Sequence, residues 1–242
     1  MSQIIAVASG KGGAGKSSVC TFLGRELALL GRRTLIVELD SGLRGLDLAL
    51  GVSQRVVYDL GDILQGRCGI MQAPVPCEAD LWLICAPVAR DFQPEPDALA
   101  ALLRQLAEGY DVILLDTPAG LGAGVQAALA AADLALLVVT PDAVCVRDGR
   151  AAAMLAEDCG AGGIRLIINM VPEKWPKETC YRDLDRVIDE TAVQLIGVLP
   201  AQAQLAQALA AGVPLPHGSR IQRAFCNIAN RICGKEVELL FS

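Results

Sequence analysis

Gly10-Lys11-Gly12-Gly13-Ala14-Gly15-Lys16-Ser17-Ser18 follows directly on the apolar run Gln3-Ile4-Ile5-Ala6-Val7-Ala8-Ser9. Residues 10–17 satisfy G-x-x-x-x-G-K-[ST] at each required position, between a strand pattern and a helix pattern, which is the context the motif needs. Glycines let the backbone wrap closely around phosphates and take positive φ. The loop N–H groups then form a nest at the positive end of the helix that follows. On this reading Lys16 neutralises β- and γ-phosphates, and the Ser17 hydroxyl ligates Mg²⁺. The loop also carries a second lysine, Lys11, five residues before Lys16.

Working outward, short apolar runs alternate with helical patterns. Strands are expected at 3–9, 34–39, 80–85, 111–116, 134–139, 164–169 and 195–199, nearly continuous in apolar character as for strands buried on both faces. Helices are expected near 16–31, 94–108, 121–131, 144–158, 178–190, 201–211 and 219–233. The alternation predicts a three-layer α/β P-loop NTPase fold, a mostly parallel sheet flanked by helices. With 242 residues the chain is expected to be one domain, 1–242, followed from 236 by a short tail.

Carboxylates stand where such sheets bind ligands, at the carboxyl ends of strands. Val37-Glu38-Leu39-Asp40 ends the second expected strand; Asp40 is placed to orient water and to lie near Mg²⁺. Ile113-Leu114-Leu115-Asp116 has the Walker B arrangement, with Asp116 held to accept hydrogen bonds from Mg²⁺-bound water. Gly120 offers a backbone N–H and flexibility near the γ-phosphate. Asn169, at another strand end, carries both a donor and an acceptor, which suits an adenine edge or an ordinary loop contact. No N-K-x-D motif occurs, which favours adenine over guanine.

Bulk properties exclude several classes. Net charge is −6 and pI about 4.9. This argues against a surface dedicated to nucleic acid, and DNA is an unlikely partner. The nine cysteines contain no C-x-x-C pair and there is one histidine, His217. They read as reduced, mostly buried thiols of a cytosolic protein. No signal peptide is recognised. The uncharged stretch 192–219 is broken by Pro200, Pro214 and Pro216 and is not a membrane span.

K-G-G-x-G-K-[ST] resembles the deviant Walker A motif of the MinD/ParA family. Asp40-Ser41-Gly42-Leu43-Arg44-Gly45-Leu46-Asp47-Leu48, Asp116-Thr117-Pro118-Ala119-Gly120 and Pro141-Asp142-Ala143-Val144-Cys145-Val146-Arg147-Asp148 are similar to the switch I, switch II and partner-docking segments of its MinD branch. The departures are Gly45 for asparagine, Gly122 for glutamate, and Gly149-Arg150 for a Ser-Asp pair. The resemblance implies an ATPase that binds ATP or ADP with Mg²⁺ and forms an ATP-dependent homodimer. Lys11 would reach the partner subunit's phosphates, with Lys11, Lys16 and Asp40 acting in hydrolysis. Residues 10–18, Gly120, Asn169 and Pro200 would hold nucleotide, and Ser17, Asp40 and Asp116 the metal. It implies a regulatory protein docking near Arg147 and Asp148, and a cytoplasmic role in placing the division septum, at the inner membrane face when lipid-bound.

Alternatives within the fold are positioning of flagella, pili, plasmid or chromosome, an iron–sulfur carrier, and a non-hydrolysing scaffold. At the C-terminus, Ile221, Phe225, Ile228 and Ile232 share one helical face, beside Arg220, Arg223, Arg231 and Lys235. That pattern suits a last core helix or a membrane-surface helix; the core reading is preferred, making membrane binding weak. Glu236 and Glu238 beyond it oppose anionic lipid.

Overall fold

A computed structural model of the protein describes residues 2–41, 44–89, 92–175, 181 and 183–238. In chain order its elements are β1 (Gln3–Ala8), α1 (Lys16–Leu29), β2 (Thr34–Glu38), α2 (Leu46–Ala49), α3 (Leu60–Leu64), β3 (Val75–Glu78), β4 (Leu81–Ile84), α4 (Pro96–Leu106), β5 (Val112–Asp116), α5 (Ala123–Ala130), β6 (Leu134–Val139), α6 (Ala143–Asp158), β7 (Ile164–Val171), α7 (Asp185–Thr191), β8 (Leu195–Pro200), α8 (Ala203–Ala211) and α9 (Arg220–Ile232). Gly42, Leu43, Cys180, the start of the helix expected from 178, and the last four residues of the tail lie outside the described residues.

The strands form one eight-stranded sheet in the order β3-β4-β2-β5-β1-β6-β7-β8, parallel throughout except for β3. Residues of β2 and β5 are buried without exception, as their unbroken apolar runs require. The seven expected strands all form. β3 was not expected, because Pro76 sits inside it. It is an edge strand, where a missing N–H costs no ladder bond, and its register shifts between Pro76 and Glu78. Ala79 and Asp80 link it to β4, with Asp80 at φ +59, a conformation aspartate tolerates better than most residues.

This order sets the site. Asp116 at the end of β5 pairs in register with Val7 of β1 on one side and Glu38 of β2 on the other. The carboxyl edge therefore presents, side by side, the ends of β2, β5, β1, β6, β7 and β8. Asp40, Asp116, the Gly10–Ser17 loop, Asp142, Asn169 and Pro200 follow one another along it.

The apolar face of α9 is spent on the core. Ile221, Phe225 and Ile228 are fully buried, and the helix packs on α1 and β8. Phe225 meets Phe22 with ring centroids 5.7 Å apart. Gly197 of β8 makes room for Ile228, since a Cβ there would lie 2.3 Å from Ile228 Cγ1. Arg231 donates to the Ile196 and Val237 carbonyls, fastening the segment after the helix. No helix among the described residues is long and apolar enough to cross a membrane. Of the eight described cysteines only Cys20, Cys85 and Cys145 are buried. The expectation of mostly buried thiols therefore needs correcting: the other five are half-buried, Cys68 in a loop, Cys77 on the edge strand β3, Cys226 within α9, and Cys159 and Cys233 at the C-terminal ends of α6 and α9.

Candidate functional site

The loop between β1 and α1 is shaped by two glycines that no other residue replaces. Gly15, at φ +99, caps α1 without any side-chain hydrogen bond, so the first N–H groups of the helix have no side-chain acceptor. A Cβ on it would lie 2.2 Å from Asn169 Nδ2. Gly10 lets the loop touch α6, where a Cβ would fall 2.3 Å from the Asp148 carbonyl oxygen. The loop and the helix bearing Arg147 and Asp148 are thus in direct backbone contact.

Lys16 is buried, and its Nζ donates to Ser9 Oγ at 3.3 Å. Ser9 Oγ in turn donates to the Lys11 carbonyl at 2.7 Å. Lys11 Nζ is half-exposed and pairs with Asp142 Oδ1 at 3.2 Å. Asp142 is the N-cap of α6 and accepts from Cys145 N. Burial alone would raise its carboxyl; hydrogen bonds from Thr140, Cys145 N and Lys11 outweigh that and hold it below the usual carboxylate range. An open pocket of about 360 Å³ is lined by the loop glycines, Lys16, Ser17, Asp40, Ala119 and Met170.

Asp116 is buried at the floor and accepts a hydrogen bond from Ser17. Burial pushes its carboxyl up to about 7; Ser17 and Lys16 oppose that rise, and the nearby carboxylates of Glu38 and Asp40 add to it. A buried carboxylate beside a serine hydroxyl, with Asp40 lining the same pocket, offers the oxygen donors that a hard divalent cation takes, and such an ion would favour the ionised form. Asp40 lines this pocket and also a neighbouring one of about 240 Å³ with Ser41, Pro118 and Gly122. Gly120, at φ +89, stands at the bend after Asp116, with nothing near its Cβ position.

Asn169 is buried, and its amide is already engaged. Nδ2 donates to the Ala14 carbonyl at 2.8 Å, and Oδ1 accepts from Met170 N at 2.8 Å. It ties the loop to β7, leaving one N–H of the amide uncommitted. Pro200 does not line the phosphate pocket. It belongs to a separate cavity of about 180 Å³ at the same sheet edge, with Val171, Trp175 and Arg220.

Glu38 was not singled out by sequence reasoning. Its carboxylate accepts from Gly45 N, Leu46 N and Ala86 N, at 2.9, 3.1 and 3.2 Å. It thereby binds the start of α2, directly after the 40–45 segment, to the ends of β2 and β4. A carboxylate inside the otherwise apolar run 34–39 was the available signal, since a buried acid demands donors. Asp142 was quoted but given no role; its pairing with a lysine 131 positions away leaves no local trace.

A family model described as "AAA domain" matches residues 2–151, and one described as "Cellulose biosynthesis protein BcsQ" matches residues 86–217. The two overlap across the middle of one sheet, so they do not mark separate units. The septum site-determining protein MinD of Bacillus subtilis (strain 168) is 32% identical over 246 residues, covering 99% of this chain and 92% of that protein. Among solved structures, the MinC:MinD cell division protein complex of Aquifex aeolicus matches at 30% identity and TM-score 0.89, covering 98% of both chains. MinD of Pyrococcus horikoshii OT3, complexed with Mg-ADP, matches at 27% identity and TM-score 0.85, covering 96% of each.

Proposed function

The chain belongs to the MinD family of septum site-determining proteins, within the MinD/ParA group of P-loop ATPases, and from that premise we propose that it is an ATP-driven dimerising switch acting in placement of the division site. The whole of residues 1–242 serves this one activity. The observation that carries the reading is a phosphate loop holding two lysines in different states: Lys16 buried against the loop floor, Lys11 half-exposed at the rim. One suits the subunit's own phosphates; the other, paired with Asp142 in the lone subunit, can be released toward a second copy of the chain.

The chain's residues divide the work as follows. The N–H groups of Gly12 to Ser18 and Lys16 hold the phosphates of ATP or ADP. Ser17 and Asp116, with Asp40 nearby, would hold Mg²⁺, which supplies charge neutralisation on the transferring phosphoryl group. Asp40 orients the attacking water. Lys11 leaves Asp142 and adds its charge to the γ-phosphate bound by the partner subunit. The Gly120 N–H senses the same group. Asn169 keeps the loop against β7.

Support for Mg²⁺ and nucleotide comes from the donor set and from the Mg-ADP complex of the Pyrococcus relative. Support for a protein partner comes from the Aquifex MinC:MinD complex. On this chain the exposed Arg147 pairs with the half-buried Asp148 on α6, and Val144 and Met154 add exposed apolar surface to that helix. Arg150 donates to the Thr191 carbonyl, placing a positive charge on the same helix. The site of action is cytoplasmic, with only weak contact to the inner face of the membrane, since the apolar face of α9 is spent on the core.

Sedimentation equilibrium in Mg·ADP and in Mg·ATP tests the switch. We expect a monomer in ADP and a dimer in ATP, with phosphate release only under dimerising conditions. A monomer in both nucleotides would refute it.

A further inference from the structure

The division of work above leaves one buried thiol at the site unused, that of Cys20 on α1. We propose, building on the nucleotide and Mg²⁺ reading above, that Cys20 is a positioning residue for the metal site, holding the Asp116 carboxylate in the orientation that receives Mg²⁺.

The helical period brings the thiol there. Cys20 lies three residues after Ser17 and four after Lys16, so the three side chains are neighbours on one face of α1. The helix packs on β5, whose last residue is Asp116. Cys20 Sγ donates to Asp116 Oδ1 at 3.6 Å, a contact in the range of a thiol donor because sulfur is larger than oxygen. Ser17 bonds the same carboxylate. The two donors differ in their duties. The Ser17 oxygen is also a metal ligand on the reading above, whereas among the described residues the Cys20 side chain hydrogen-bonds to Asp116 alone. Its bond does not compete with coordination.

Burial gives the contact its weight. Cys20 is 0% exposed and Asp116 1%, so water cannot replace a donor lost from that oxygen. A carboxylate turns about its Cβ–Cγ bond, and a hydrogen bond to one oxygen fixes the turn before an ion arrives. Glu38 cannot take over this duty. As a carboxylate it only accepts, and its oxygens already receive Gly45 N, Leu46 N and Ala86 N. Groups that orient a metal ligand from behind typically cost 10- to 100-fold in metal affinity when removed, and a thiol, as a weak donor, belongs at the lower end.

Calorimetric titration of ADP at stepped Mg²⁺ concentrations, and in EDTA, separates the metal from the nucleotide. Cys20→Ala should need roughly 10-fold more Mg²⁺ for half-maximal tightening of ADP, and should keep ADP affinity in EDTA within about twofold. Cys20→Val fills the space without a donor and should behave as the alanine variant does. Cys20→Ser keeps a donor at the same place and should recover most of the lost Mg²⁺ affinity. Each substitution disturbs a packed core and lowers stability in urea whatever the role of the thiol; the difference between serine and the two apolar variants in Mg²⁺ requirement is what decides. An unchanged Mg²⁺ requirement in Cys20→Ala or Cys20→Val would overturn the proposal and leave the metal reading standing. Equal losses in all three variants would show damage to packing rather than a lost donor, and would overturn it too. If ADP affinity of the native chain does not depend on Mg²⁺, the metal reading falls and this inference with it.

Discussion

Lys11 cannot serve a partner subunit while it holds Asp142 in its own. Replacing Asp142 by serine separates the two duties of that aspartate. Serine is as good an N-cap as aspartate, so the bond from Cys145 N survives and α6 keeps its start. The ion pair to Lys11 is lost. Both side chains are 43% exposed, so the pair belongs to the weak, solvent-screened class, worth about 0.2–1 kcal/mol. Each dimer opens two such latches, or about 0.4–2 kcal/mol, which corresponds to a dimer dissociation constant roughly 2- to 30-fold lower in Asp142→Ser. Sedimentation equilibrium with Mg²⁺ and a non-hydrolysable ATP analogue reads this directly. The advantage of the variant should shrink at high salt, where the wild-type latch is itself weakened. Monomer stability should stay close to wild type. A variant that dimerises more weakly than wild type, with its fold intact, would refute the reasoning. Asp142 would then be steering Lys11 toward the partner rather than retaining it.

Three further outcomes follow from other parts of the fold. Phe225→Ala should cost about 3–5 kcal/mol in urea unfolding, the usual loss for a fully buried ring; lost vesicle binding at unchanged stability would instead mark α9 as a lipid-facing helix. Glu38→Gln keeps one oxygen, which can still accept from Gly45 N and Leu46 N, but turns an NH2 toward the Ala86 N–H, so the tie from the start of α2 to the end of β4 should break, costing about 1–3 kcal/mol. ATP turnover should fall in this variant while Mg·ADP affinity holds, and an equal loss of both would contradict the assignment. Burial raises Glu26 above the usual glutamate range, with the Gln222 amide and His217 opposing. The folded state therefore binds this proton more tightly than the unfolded chain, and the group's contribution to stability falls as pH rises from the ordinary glutamate value through the raised one. Glu26→Gln should match wild type in acid and exceed it at neutral pH; parallel stability curves would show that the burial is relieved.

Legibility in the sequence divides along a physical line. The phosphate loop, Asp40 and Asp116 were readable because their chemistry is local: a fixed glycine spacing, and a carboxylate just after an apolar run. The parallel core strands were readable for the same reason, their apolar character being continuous. What was not readable depends on distant partners. Asn169 fits an adenine edge or a backbone carbonyl equally well, and only the approach of β7 to Gly15 decides for Ala14. The α9 pattern identifies its apolar face but not what covers it; Phe22 of α1 and Gly197 of β8 supply that answer from two other places in the chain. Strand β3 was hidden by Pro76, which is tolerable only because the strand lies at the edge.

The central claim is that Lys11 completes the nucleotide site of the other subunit. It is tested most directly by mixing two inactive variants at high protein concentration. Lys11→Ala keeps its own phosphate loop but has no lysine to lend; Lys16→Ala has a crippled loop but an intact Lys11. The account predicts that the mixture hydrolyses Mg·ATP at a rate neither variant shows alone, because the first supplies the nucleotide and the second the lysine. A mixture no more active than the sum of its parts, with mixed dimers demonstrated by cross-linking, would place Lys11 in its own subunit's site and contradict the account.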